Sequence, residues 1–122
     1  MKRETALQCA CVKWFSLQPD YKGYLLYMIT NDGKKTPKAA NIDKKRGLIA
    51  GIPDMCLAVP SEPHHALYIE FKTDKGEIST KQKIIALNLS LQGYLVVVIR
   101  SVEEFMQVIP DYLHRRLPSQ KC

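Results

Sequence analysis

The run YLVVVI, residues 94–99, constrains this chain more than any other stretch. It is uniformly apolar and rich in β-branched valine, with no polar residue at alternate positions. A run this short reads as a strand covered on both faces. Its neighbours supply the covers. Residues 79–92 place Ile85 and Leu89 on one helical stripe with Ile84, Leu87 and Leu91 beside it, and Gly93 closes that helix. A further helix starts near Val102, where Pro110 is expected to kink or restart it. The fold class is therefore α/β, a mixed sheet flanked by helices.

Earlier segments add to the same layers. Residues 4–15 form an amphipathic helix with Leu7, Cys11, Trp14 and Phe15 on one face. YLLYMIT (24–30) reads as a strand, NDGKKTP as a loop, and residues 38–47 as a short helix closed by Gly47. DMCLAV (54–59) is a second strand, PSEPHH a turn, and ALYIEFK (66–72) a third strand. The order is αβ(α)ββαβα. With no repeat, low-complexity tract or linker, residues 1–122 read as one domain. In the last helix, Phe105, Val108 and Ile109 suit either a core or an interface.

A net charge of +6 and a pI near 9.2 favour an anionic partner, nucleic acid before membrane. Cys9, Cys11, Cys56 and Cys122 include no CxxC pair and suggest neither a zinc site nor a disulfide framework. They read as reduced thiols, and a cytoplasmic location is expected. Glu4, Gln8 and Lys13 interrupt any apolar core of a signal peptide, and no run is long enough to span a bilayer.

The third strand carries the feature that calls for chemistry. Alternate side chains on a strand share a face, so Leu67, Ile69 and Phe71 point one way and Tyr68, Glu70 and Lys72 the other. If the second and third strands form a hairpin closed at PSEPHH, Asp54 and Lys72 lie near its open end with Glu70 beside them. Two carboxylates from adjacent strands offer hard oxygen ligands to a divalent cation, and an ammonium beside them can orient water or stabilise charge on a phosphoryl oxygen. Taken alone, an E-x-K triplet is common by chance and usually marks a solvated sheet face.

Other segments raise its weight: GIPD at 51–54, STKQ at 79–82, and Glu4 on the stripe of Leu7 and Cys11. Each has a structural alternative. Ser79 and Gln82 have the spacing of a capping box, and Glu4 suits the helix macrodipole. His64 and His65 lie in a Pro-flanked turn without a third ligand, His114 belongs to a basic helix, and a turn explains Asp74.

Together GLIAGIPDMCLAVP, LYIEFKTDKGEISTKQ and LQGYLVVVIRS resemble the virus-type replication-repair nuclease (VRR-NUC) family, a branch of the PD-(D/E)XK phosphodiesterases. The resemblance runs from Glu4 to the last helix. It implies that Asp54 and Glu70 bind a catalytic Mg2+ or Mn2+ with the backbone carbonyl of Phe71, and that Lys72 positions or activates water. It further implies that Gln82 reaches into the site and that Glu4 supports metal binding. One departure is ITNDG, where a Pro-Asn-Gly-like turn is expected; it leaves a role for Asn31 open. Lys34, Lys35, Lys38, Lys44, Lys45 and Arg46 are placed to follow a phosphate backbone.

By the same resemblance, the chain is expected to be an endonuclease cutting branched DNA as a homodimer, in the manner of Holliday-junction resolvases, with no organic cofactor and no membrane partner. Stand-alone members of this kind are typical of phages, and DNA repair is the implied setting. A non-catalytic DNA-binding module and a sequence-specific restriction-type enzyme are the alternatives. The second needs base-reading loops, and the connections here are short.

Overall fold

The structure is a computed structural model describing residues 1–30 and 36–120, with side chains through His114. Four strands form one sheet in the order β1-β2-β3-β4: β1 Leu26–Met28, β2 Met55–Leu57, β3 Leu67–Phe71 and β4 Leu95–Ile99. β1, β2 and β3 pair antiparallel, whereas β3 and β4 are parallel. A parallel pair needs a crossover, which α3 (Thr80–Leu91) provides. The other helices are α1 (Arg3–Ser16), α2 (Pro37–Lys45) and α4 (Val102–Gln120), with a 3-10 turn at Pro19–Tyr21.

The core lies on one face of the sheet. Leu57, Leu67, Ile69, Phe71 and Ile99 pack there against Cys11 and Phe15 of α1 and Phe105, Ile109 and Leu113 of α4. Phe105 and Ile109 are therefore core residues, and Val108 packs against them. Tyr112 also joins the core and donates its hydroxyl to the Val59 carbonyl at 2.6 Å; Ser61 donates back to the Tyr112 carbonyl. This ties the turn after β2 to α4.

One expectation is corrected. α4 runs through Pro110 without interruption. The ring deprives the Met106 carbonyl of its intrahelical donor, and Met106 is 41% exposed, so water can take that place. β4 lies at the sheet edge among the described residues, with Ile99 fully buried and Leu95 to Val98 half-buried, and both its faces are covered as expected. Leu95, Val97 and Ile99 join the core side, while Val96 and Val98 face α3.

Strands are shorter than expected, three residues each for β1 and β2. Gly47 and Gly93 close their helices with φ of 104° and 93°, as left-handed caps do. Cys9, Cys11 and Cys56 are free thiols, and Cys122 lies outside the described residues. No helix among the described residues is long and apolar enough to cross a membrane.

Candidate active site

The β2–β3 register sets Met55 opposite Ile69, which brings Asp54 to the level of Glu70 at the open end of the hairpin. The backbone is irregular there. The Asp54 N–H bonds to the Ile69 carbonyl of β3 at 3.0 Å, whereas its C=O accepts from Ile29 beside β1 at 2.8 Å. In a regular strand both groups point to the same neighbour, so this divergence marks a bulge, a device that re-aims a side chain. The Asp54 carboxylate is thereby brought across to β3, where Oδ2 accepts the Phe71 N–H at 2.8 Å. Phe71 projects its carbonyl from the strand on the same side as that N–H. Pro53, immediately before Asp54, has no N–H to offer it.

Glu70 is only 6% exposed. It borders a cleft of about 30 Å3 walled by Gly51, Pro53, Ile78, Gln82, Ala86, Val96 and Val98. Desolvation and the neighbouring Asp54 charge push its pKa up to about 8, against a counter-pull from Lys72. Asp54 is also raised, chiefly by burial, with the Phe71 N–H pulling it down. Burial and mutual repulsion thus disfavour charge on both carboxyls, which a positive charge bound beside them would relieve. The donor set suits a hard divalent cation.

Gln82 completes the cap its spacing suggested and also reaches Glu70. Its N–H bonds to Ser79 Oγ at 3.1 Å and its Oε1 accepts the Ser79 N–H at 2.9 Å, a complete capping box. The remaining amide hydrogens are aimed at the site, and Nε2 donates to Glu70 Oε2 at 2.9 Å. The cap thus fixes the amide orientation that holds Glu70.

Gly51 is where the two motifs meet. Its φ is 90°, and a Cβ there would meet the Lys81 carbonyl carbon at 2.7 Å and the Gln82 nitrogen at 3.0 Å. The loop before Asp54 therefore rests directly on the first turn of α3.

Lys72 follows β3, its N–H bonded to the Ile99 carbonyl at 3.0 Å, and its charge acts on both carboxylates. The loop after it is held by Arg100, a residue the sequence reading missed. Arg100 Nη1 donates to the carbonyls of Thr73 (2.8 Å) and Gly76 (2.7 Å). A lone arginine ending an apolar strand was the available signal.

Glu4 is half-buried in the first turn of α1, and its charge raises the pKa of both Asp54 and Glu70. No group of three His, Cys, Asp or Glu positioned to hold a metal is gathered among the described residues, so Glu4 acts on the pair through its field. Lys38, Lys44, Lys45 and Arg46 are exposed on and after α2. Arg46, with Asp43 and Gly47, lines a cavity of about 420 Å3 that also touches Ile29 and Thr30. Lys34, Lys35 and Asn31 lie outside the described residues.

The raised carboxyls have a measurable consequence. A carboxyl whose folded pKa exceeds its unfolded one adds stability at low pH, and that stability is lost as pH rises through the folded value. Without divalent cations, the melting temperature of the protein should fall relative to Glu70→Gln between about pH 4.5 and 8. A difference that stays flat across that window would mean that Glu70 ionises normally.

The VRR-NUC domain model matches residues 2–103. A solved structure described as a VRR-NUC domain protein superposes with a TM-score of 0.76 at 24% identity, covering 92% of this chain and 88% of the other. A second, described as a VRR-NUC domain, gives 0.60 at 17% identity over 92% and 99%. No curated protein matches. The sheet flanked by helices is accordingly a PD-(D/E)XK-type nuclease fold. With a family model spanning most of its length and two neighbours of the same description, the chain belongs to the VRR-NUC family of nuclease-type domains.

Proposed function

We propose that residues 1–122 act as one domain, a divalent-metal-dependent DNA endonuclease selective for branched structures. The observation that carries this reading is the Asp54–Glu70 pair, opposed across the hairpin and short of positive charge, with Lys72 on the same face. Asp54 and Glu70, with the Phe71 carbonyl, would hold Mg2+ or Mn2+, and Glu4 would add negative field from α1. When bound, such a cation neutralises charge developing on the phosphoryl oxygens. Gln82 keeps Glu70 from rotating away. Lys72 orients the attacking water and stabilises the negative charge left as that water gives its proton to bulk solvent during in-line attack on phosphorus. That attack breaks the bond to the leaving sugar oxygen, which takes a proton from solvent. Lys38, Lys44, Lys45 and Arg46 hold the phosphate backbone beside the site, with Lys34 and Lys35 assigned there from sequence.

Cutting both strands of a branch calls for two matched sites, so the reading includes a homodimer. What supports a partner surface is α3. Ile84, Leu87 and Leu91 lie opposite its sheet-facing stripe and are 53%, 60% and 72% exposed. Leu87→Lys should shift sedimentation from dimer to monomer; a wild-type monomer at micromolar concentration would contradict the dimer.

The selectivity is tested on labelled four-way junctions, flaps and plain duplex of equal length. Paired nicks near the branch point are expected. Equal cutting of plain duplex would remove the structure selectivity, and cutting at one fixed sequence would favour the restriction-type reading.

A further inference from the structure

The sheet face opposite the core is only partly covered. α3 packs over β4 and the Glu70 end of β3, which leaves the surfaces of β1, β2 and the rest of β3 on that side without a helix among the described residues. The register places Tyr27, Cys56 and Tyr68 side by side across these three strands. Tyr68 lies on the face of Glu70, two residues along β3, or roughly 7 Å away. Lys72 shares that face. The nuclease site is therefore continuous with an aromatic surface.

Cys56 lies between the two tyrosines. Both hydroxyls interact with its thiol, which is 3% exposed. A tyrosine hydroxyl can reach a short side chain on the adjacent strand only if the ring lies along the sheet, since neighbouring strands are about 4.8 Å apart. Tyr27 is 45% exposed and Tyr68 half-buried. Tyr94 braces Tyr68 edge-on at 5.5 Å between centroids and an interplanar angle of 80°, and His65 braces Tyr94 in the same manner at 5.5 Å. His65 in turn rests on Gly93, where a Cβ would meet its ring at 2.7 Å. The row is supported from its β4 end and open at its β1 end.

A contiguous exposed apolar patch marks an interaction site, and an aromatic face can take a stacked ring. Here the contact must share a surface with a site for a phosphodiester and carry negative charge toward a +6 chain. Unpaired nucleotides meet both conditions, because any base can stack on an aromatic face while its phosphates follow the basic site. A paired duplex does not, since its bases are already stacked on one another.

We propose that Tyr27 and Tyr68 form a stacking platform for unpaired nucleobases beside the scissile phosphate, so that the preferred DNA has unpaired nucleotides next to the cut. This rests on the nuclease reading above and deepens it.

The test compares a splayed fork with two unpaired arms and a fully paired duplex of equal length, measuring both affinity and cleavage rate. A 2-aminopurine in the unpaired arm reports stacking directly. Wild-type protein should quench its emission and favour the fork. Tyr27→Ala should lower the fork-to-duplex ratio about fivefold or more, the effect of one lost stacked base, whereas Tyr27→Phe should keep it. Melting temperatures of both variants confirm folding, and the wild-type quench reads the platform without any variant. Cleavage with no quench, or a fork preference unchanged in Tyr27→Ala, would overturn the platform and leave the nuclease intact. A quench and fork preference in binding without any cleavage would keep the platform and sink the enzyme. Absence of DNA binding would overturn both.

Discussion

Lys72→Ala is expected to fold and bind DNA like the wild type while cutting at least about 10²-fold more slowly, the scale set by losing one positioned charge in an active site. The side chain has little structural duty. It is half-buried, its stem passing Gly76, where a Cβ would stand 3.4 Å from Lys72 Cδ. Its backbone N–H, which tolerates any residue, makes the bond to Ile99. What alanine removes is the ammonium whose charge acts on Asp54 and Glu70. Lys72→Arg should restore little, because a guanidinium is wider, stays protonated and differs in donor geometry from an ammonium. The check is single-turnover cleavage beside a binding isotherm at matched salt. Normal cutting by Lys72→Ala would remove the role assigned to it.

The second large effect is structural. Gly51→Ala should destabilise the protein by several kcal/mol, combining about 1–2 kcal/mol for a left-handed backbone with about 1–3 kcal/mol for overpacking. The clash cannot relax cheaply, since the atoms met are backbone of Lys81 and Gln82. Moving them would also pull Gln82 from Glu70, now 2.9 Å away. Gly47 is the internal control. Its φ is 104°, but a Cβ there meets nothing within 4 Å, so Gly47→Ala carries the conformational cost alone. A drop of roughly 8–20 °C in melting temperature is expected for Gly51→Ala, well beyond that for Gly47→Ala. Equal melting temperatures would mean that the loop does not rest on α3.

These residues show what the sequence revealed and why some of it stayed hidden. Strand parity was legible: the alternation in ALYIEFK put Leu67, Ile69 and Phe71 on one face, and all three join the core. The capping spacing was legible too, and the capping glutamine also reaches Glu70. The edge position of β4 was not. An apolar run records that a strand is mostly covered, whereas its position at the sheet edge depends on segments far away in sequence. Arg100 was hidden for a related reason, since the carbonyls it holds lie in a loop on another strand's end. The bulge at Asp54 left no local mark beyond the proline before it. The tyrosine row emerges only when three strands are aligned side by side.

The central claim is that the Asp54–Glu70 pair works through a divalent cation. Its most direct test is a titration of Mg2+ into cation-free protein with a labelled four-way junction, wild type beside Asp54→Asn, with nicks counted at each concentration. The account predicts cutting that appears with the cation, stops on adding EDTA, returns with Mn2+, and stays absent in Asp54→Asn throughout. Cutting that persists in EDTA, or in Asp54→Asn at wild-type rate, would contradict it.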